Sequence, residues 1–232
     1  MVCISDWYTS IGEFSFPTNF LRLNAMEIQA LIAADMETST ARGVMRRLHR
    51  AIKALPGAGF VGADCCVPTD SRHYRHALKI TSGRAAWRLL VSSEQVRRAF
   101  EQRHTERLLV RPFRRIDRAR EFRMFFYDRT LVAMSQYCLV RHFARLAKRD
   151  KEIWHCGKEL APRIAPYLPE KNQVVDVYLC SDGQLLLVDL NSWGGTTDPK
   201  LLKIWERDWG EEVGLKLIPR PIKMKGDVSI SF

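Results

Sequence analysis

No stretch of this chain approaches the roughly 20 consecutive apolar residues that a membrane span needs, and no apolar segment with a small-residue cleavage site follows its start. A cytoplasmic protein is the resulting expectation. Of six cysteines only Cys65 and Cys66 are neighbours, and no CxxC pair stands beside a histidine cluster. Such spacing supports neither a zinc site nor a disulfide framework, so reduced, mostly buried thiols are expected. Internal repeats and low-complexity tracts are missing, as are an aromatic-interleaved RNA-binding signature and a recognition-helix pattern. Acidic residues are outnumbered, 26 Asp and Glu against 37 Lys and Arg, for a net charge of +11. The excess gathers at Arg42, Arg46, Arg47, His49, Arg50 and Lys53, and again from Arg107 to Arg123. A chain so charged attracts polyanions, whether nucleotide, nucleic acid or an acidic protein surface, without choosing among them.

What is present is an ordinary globular composition, 46% hydrophobic and 27% charged over 232 residues, enough for one large domain or two lobes. Residues 5–20 are aromatic-rich and read as an extended lead-in ending near Pro17. Apolar spacing predicts helices over 25–34 and 39–55, the second stopped by Pro56-Gly57 with its arginines on a solvated face. A strand then a loop is predicted over 59–70, a short strand at 87–91, and a helix capped by Ser92-Ser93-Glu94 running to Gln102. Leu108 to Val110 is another short apolar run. A hairpin follows, 121–127 with 131–138, with Glu121, Arg123 and Phe125 sharing one face. Helix is predicted from Phe143 to Pro162 and again toward Tyr167, and over 199–209, with a surface strand or loose tail after Gly214. His142 and His155 find no matching nucleophile and read as surface or packing residues.

The most informative stretch is VVDVYLCSDGQLLLVDLN, residues 174–191, a second hairpin turning at Asp182-Gly183. A two-residue turn places Asp176 opposite Asp189, with Asn191 on the same sheet face. Directly paired carboxylates repel. A hard divalent cation held by carboxylate and amide oxygens would offset that cost; so would protonation of one aspartate or a neighbouring arginine. Together with Arg111, Glu121 and Arg123 this is a set suited to a metal-bound polyphosphate, since carboxylates hold cations and guanidinium forks neutralise phosphates.

The spacing Asp176-x12-Asp189-x-Asn191 resembles the Mg²⁺-binding set of ATP-grasp proteins. More narrowly, an ordered series of blocks resembles the cell division cycle protein 123 family, whose eukaryotic members help assemble translation initiation factor 2. The blocks include Trp7-Tyr8, Gly59-Phe60-Val61, Leu109-Val110-Arg111-Pro112-Phe113, Glu121-Phe122-Arg123, Asp176-Val177-Tyr178, Asp189-Leu190-Asn191 and Thr197-Asp198. The resemblance implies an α+β ATP-grasp fold: two lobes with mainly antiparallel sheets and a nucleotide cleft between them. The segments expected are an N-terminal part at 1–55, a small lobe at 56–105, a large lobe at 106–215 and a tail at 216–232. It further implies ATP and Mg²⁺ as cofactors, with Asp176, Asp189 and Asn191 at the metal and phosphate end. The backbone of Leu109, Val110 and Arg111 would meet adenine, Arg123 would face the phosphates, and Glu121 would orient Arg123. The implied role is assembly of a protein partner such as the initiation factor 2 γ subunit. An ATP-dependent ligase or phosphotransferase and a basic nucleic-acid-binding module are the alternatives. One position departs from the family pattern: Gly62 stands where a phosphate-contacting lysine is usual, and Arg72, Arg75 or Lys79 would have to substitute.

Overall fold

The computed structural model describes residues 2–74 and 79–221; Arg75 therefore lies outside the described residues. Two sheets dominate. The smaller has strand order β1-β3-β2, built from Asn19–Arg22, Arg107–Pro112 and Gly59–Ala63, with both pairings antiparallel. The larger has order β7-β6-β4-β5-β8, from Leu185–Ser192, Gln173–Leu179, Glu121–Tyr127, Thr130–Gln136 and Gly214–Lys216. Only β8 runs parallel to its neighbour β5. The smaller sheet thus draws β1 from the segment expected to stand apart at 1–55, and β3 from the segment expected in the large lobe.

Period 2 decides what each sheet face meets. On the smaller sheet Val61, Ala63, Leu108 and Val110 point into a core made with four helices: α2 (Ala25–Ile32), α3 (Ser39–Lys53), α4 (Gly83–Val91) and α5 (Glu94–Glu101). Leu31, Leu48, Trp87 and Phe100 are their fully buried contributions. On the larger sheet Phe122, Met124, Phe126, Val175 and Val177 face α1 (Ile4–Ile11) and, after the short α6 (Ala144–Ala147), α7 (Asp150–Ile164). Its other face carries Phe125 and Val174 under Trp209 and Leu202, and beyond them the charged residues of the candidate site.

Three expectations fail for identifiable reasons. The lead-in is helical: Ile4, Trp7 and Ile11 form a buried stripe, and Asp6 accepts from the Cys3 backbone N–H at 3.2 Å to close a capping box. Residues 87–91 are the second half of a helix, because a short apolar run buried on most sides carries no period. Ser82 caps that helix at Ala85 N, 3.3 Å. Residues 199–209 hold only a 3₁₀ turn at Lys200–Leu202. There Lys203 takes a positive φ of 70°, and the rings of Trp193, Trp205 and Trp209 gather on Phe125 at centroid distances of 5.7–6.4 Å. Aromatic burial overrides helical spacing in that segment. The six cysteines are free, but only Cys3 is buried; the other five are partly exposed. No helix among the described residues is long and apolar enough to cross a membrane.

Candidate functional site

The hairpin of β6 and β7 pairs Asp176 with Asp189 as its sequence implies, although by a different route. Cys180 N donates to Gln184 O at 2.8 Å, which closes a three-residue loop through Ser181, Asp182 and Gly183, the last with φ of 90°. That loop shifts the register by one, so Tyr178 lies opposite Leu186. An irregularity between Asp176 and Val177 leaves Val188 as an extra residue and restores the register at Asp189. The bulge also turns Val188 and Asp189 together into a cavity of about 360 Å³ between the two sheets. Phe60 and Leu109, from the face of the smaller sheet opposite its helices, line the same cavity with Phe16, Cys66 and Arg111.

The two aspartates have different surroundings. Asp176 is buried and receives the Arg123 fork, Nε at 2.7 Å on Oδ1 and Nη2 at 2.8 Å on Oδ2. Asn191 Nδ2 adds a bond to Asp176 Oδ2 at 3.0 Å. Among the described residues Asp189 accepts only from Leu190 N, 2.9 Å, and burial followed by the Asp176 charge pushes its carboxyl up to about 7. The cost of pairing two aspartates is therefore met inside the protein by an arginine on one and a raised pKa on the other.

Arg111 is a buried cation of the cavity that, among the described residues, forms no salt bridge with a carboxylate. It is 8% exposed; its Nε donates to Thr18 Oγ1 at 2.8 Å, while its buried Nη2 has no hydrogen-bond partner among the described residues. Burial lowers its pKa and Asp189 opposes that shift. Glu121 is raised, by burial first and then by Asp176.

Several expected roles need correction. Leu109, Val110 and Arg111 lie in the central strand of the smaller sheet, opposite Gly62, Asn19 and Phe60. Leu109 and Val110 pair with both neighbouring strands and Arg111 with β2, and the strand offers the cavity the side chains of Leu109 and Arg111. Glu121 makes no hydrogen bond to Arg123. That residue is oriented instead by Asp176 and by the Asp198 carbonyl, which accepts from Nη1 at 2.6 Å. All three Arg123 nitrogens are thus engaged within the protein. At Gly62 a Cβ would meet the Cys66 carbonyl at 3.1 Å, because residues 63–66 fold back over that position. A side chain there would require that carbonyl to shift by a few tenths of an ångström. Lys79 is exposed with its Nζ 5.6 Å from the Phe113 ring centre, and Arg72 is exposed beside Arg88 and Ser92, away from the cavity.

Two contributors escaped the sequence reading. Lys200 Nζ stands 4.2 Å above the Tyr137 ring and 3.1 Å from Asp198 Oδ2, and Arg123 lies 5.3 Å from the same ring. Lys200 takes a positive φ of 57°, which no spacing rule anticipates. Among the described residues, no three His, Cys, Asp or Glu side chains converge as a metal cage. The donors available to a hard cation are one uncommitted Asp189 oxygen and the Asn191 amide oxygen, beside an Asp176 already neutralised by Arg123. That chemistry fits an oxygen-preferring ion such as Mg²⁺, and the orphaned Arg111 nitrogen fits an anionic group in the cavity.

The sequence profile of the D123 family matches residues 33–212. The chain belongs to the D123 family. It is 26% identical over 175 residues to a translation initiation factor eIF2 assembly protein of Xenopus laevis, 69% of this chain and 52% of that one. It is 30% identical over 100 residues to the protein so named in Danio rerio, 43% of this chain and 28% of that one. The D123 chain described here thus spans about half, or less, of the length of these curated relatives. The solved structure of Cdc123 from Schizosaccharomyces pombe superposes with a TM-score of 0.79 at 20% identity, over 94% of this chain and 95% of that one. The fold is therefore shared with Cdc123: α+β, with two mainly antiparallel sheets facing each other.

Proposed function

We propose that this D123 protein binds a nucleotide with a divalent cation between its two sheets, and that in this form it acts in the cytoplasm as an assembly factor for a protein partner. One observation carries the nucleotide reading: a buried arginine with a nitrogen unpartnered among the described residues and a carboxylate raised to about 7 share a cavity whose walls include the apolar Phe16, Phe60, Leu109 and Ile116 as well as Asp64, Gln95 and Arg114. Apolar walls suit a base, and the polar end suits phosphates. Asp189 and Asn191 would hold Mg²⁺ beside the Arg123–Asp176 pair. The cation would supply neutralisation of phosphate oxygens. Arg111 would add a charge-assisted bond at the same end. The names of the Xenopus and Danio relatives support translation initiation factor 2 as the partner to test first, and its γ subunit is the component proposed here.

Isothermal titration of the full chain with ATP, GTP and ADP, each with and without Mg²⁺, tests the reading. Saturable, Mg²⁺-dependent binding that Arg111→Gln weakens about ten- to a hundredfold is expected, the equivalent of losing one bond to a charged group. Heat signals equal in the native chain and in Arg111→Gln would contradict it. Copurification of the γ subunit in the presence of Mg-ATP tests the partner separately.

A further inference from the structure

A second charged feature lies on the opposite side of the smaller sheet from the cavity. Helix α3 exposes Arg42, Arg46, His49, Arg50 and Lys53 along one face, a stripe of about 17 Å at 1.5 Å per residue. Helix α4 adds Arg84 and Arg88. The two helices touch backbone to backbone: a Cβ on Gly83 would stand 1.8 Å from the Met45 carbonyl oxygen. Their cations therefore form one surface. Arg46, His49 and Arg50 face Gly83 and Arg84 across a groove of about 670 Å³.

Neither helix contains an Asp or Glu. Arg42 and Arg46, Arg46 and Arg50, and Arg84 and Arg88 are like charges at i,i+4, a spacing that costs helix stability. Among the described residues, Arg46, Arg50, Lys53 and Arg88 pair with no carboxylate, and Arg84 reaches Glu37 only at 3.8 Å. Asp35 lies near Arg42, at the far end of the stripe from Lys53. A solvated surface helix ordinarily mixes the two signs. Here the repulsion is retained over two adjoining helices.

The chemistry of the surface selects its partner. None of the exposed large apolar side chains falls on α3 or α4; they are Met26, Ile116, Tyr127, Leu139, Val140, Tyr167 and Ile204. A protein interface is usually centred on a large apolar or aromatic anchor, and none stands exposed on α3 or α4, where the groove reaches only the buried Met45 and the backbone at Gly83. Guanidinium groups in a row, without apolar anchors, suit repeated phosphates. We propose that the α3–α4 face binds the phosphodiester backbone of a nucleic acid, without base recognition and independently of the nucleotide cavity.

The test is fluorescence anisotropy of the full chain with a labelled 20-nucleotide single-stranded RNA and the DNA of the same sequence, across a salt series. Replacing Arg46, Arg50 and Arg84 together by Gln is expected to weaken binding more than tenfold at about 0.1 M salt and to lower the salt slope by about 2. A control triple with the same charge change, Lys148→Gln, Lys151→Gln and Arg98→Gln, is expected to change affinity less than twofold. Equal losses in the two triples would overturn the proposal by reducing it to net charge. So would tighter binding of poly-glutamate or anionic vesicles than of either nucleic acid. Phenylglyoxal footprinting of the native chain needs no variant: RNA is expected to protect Arg46, Arg50 and Arg84, and unchanged modification of all three would contradict the proposal.

Discussion

Asp176 and Asp189 lie directly opposite each other on β6 and β7, and only Asp176 has an arginine partner. The unpaired member carries the penalty of the pair as a carboxyl raised to about 7. Behaviour of this hairpin with pH, cation and mutation follows from that asymmetry.

The pH dependence has a definite sign. Asp189 holds its proton more tightly in the folded chain than in the unfolded one, where a carboxyl titrates near 3.9. Between about pH 4 and 7 the unfolded chain binds fewer protons at this residue, so the folded state loses stability as pH rises, and the full penalty applies above 7. Asp189→Asn should therefore stabilise cation-free protein at pH 8 by roughly 1–3 kcal/mol and be nearly neutral at pH 4.5. Urea denaturation at both pH values with EDTA present decides it, and an equal difference at both would contradict the assignment.

Arg123→Ala removes the guanidinium from a buried fork and leaves the Asp176 charge facing Asp189 with no counter-ion. Breaking a buried pair from one side costs about 3–5 kcal/mol. The double replacement Arg123→Met with Asp176→Leu should recover more than half of that loss in chemical denaturation. A double variant as unstable as the single one would mean that packing, not charge, governs the site.

Gly83→Ala tests the contact on which the basic surface depends. The added Cβ would overlap backbone rather than a movable side chain, so α3 and α4 must separate. A loss of roughly 3 kcal/mol or more is expected, at the upper end of overpacking penalties, with a matching fall in melting temperature. Gly57, with open space at the Cβ position, shows no such clash.

Ser93 is fully buried at the start of α5, where its Oγ accepts from Val96 N at 3.1 Å and donates to Asp70 Oδ1 at 2.5 Å. Ser93→Ala should cost about 1–2 kcal/mol as a lost cap. Ser93→Thr, which keeps the hydroxyl, should retain most of the stability in the same denaturation assay.

Much of the site was legible because strand residues keep their neighbours at fixed offsets. The alternation of β4 put Glu121, Arg123 and Phe125 on one face, and the spacing of the last hairpin paired its aspartates. That pairing survived a wrong turn length only because the bulge at Val188 compensates, and a bulge leaves no period to read. Arg123 was recognisable as a site residue, yet its commitment to Asp176 depends on β4 and β6 being neighbours, a long-range fact. Trp7 sat in a helical stripe hidden by aromatics that also suit strands. Lys200 reaches Tyr137 through a positive φ that tertiary packing imposes. The Gly62 departure was visible, whereas the close approach of the Cys66 carbonyl to that position was not.

The cavity bounded by Arg111 and Asp189 is proposed to take a nucleotide with its cation. Thermal unfolding of the native chain and of Asp189→Ala, with and without Mg-ATP or Mg-GTP, tests it most directly. Nucleotide at 100 times its dissociation constant should stabilise the native chain by about 2.7 kcal/mol, and the Asp189→Ala chain by much less. An unchanged melting temperature of the native protein with both nucleotides, or an equal rise in the two proteins, would contradict it.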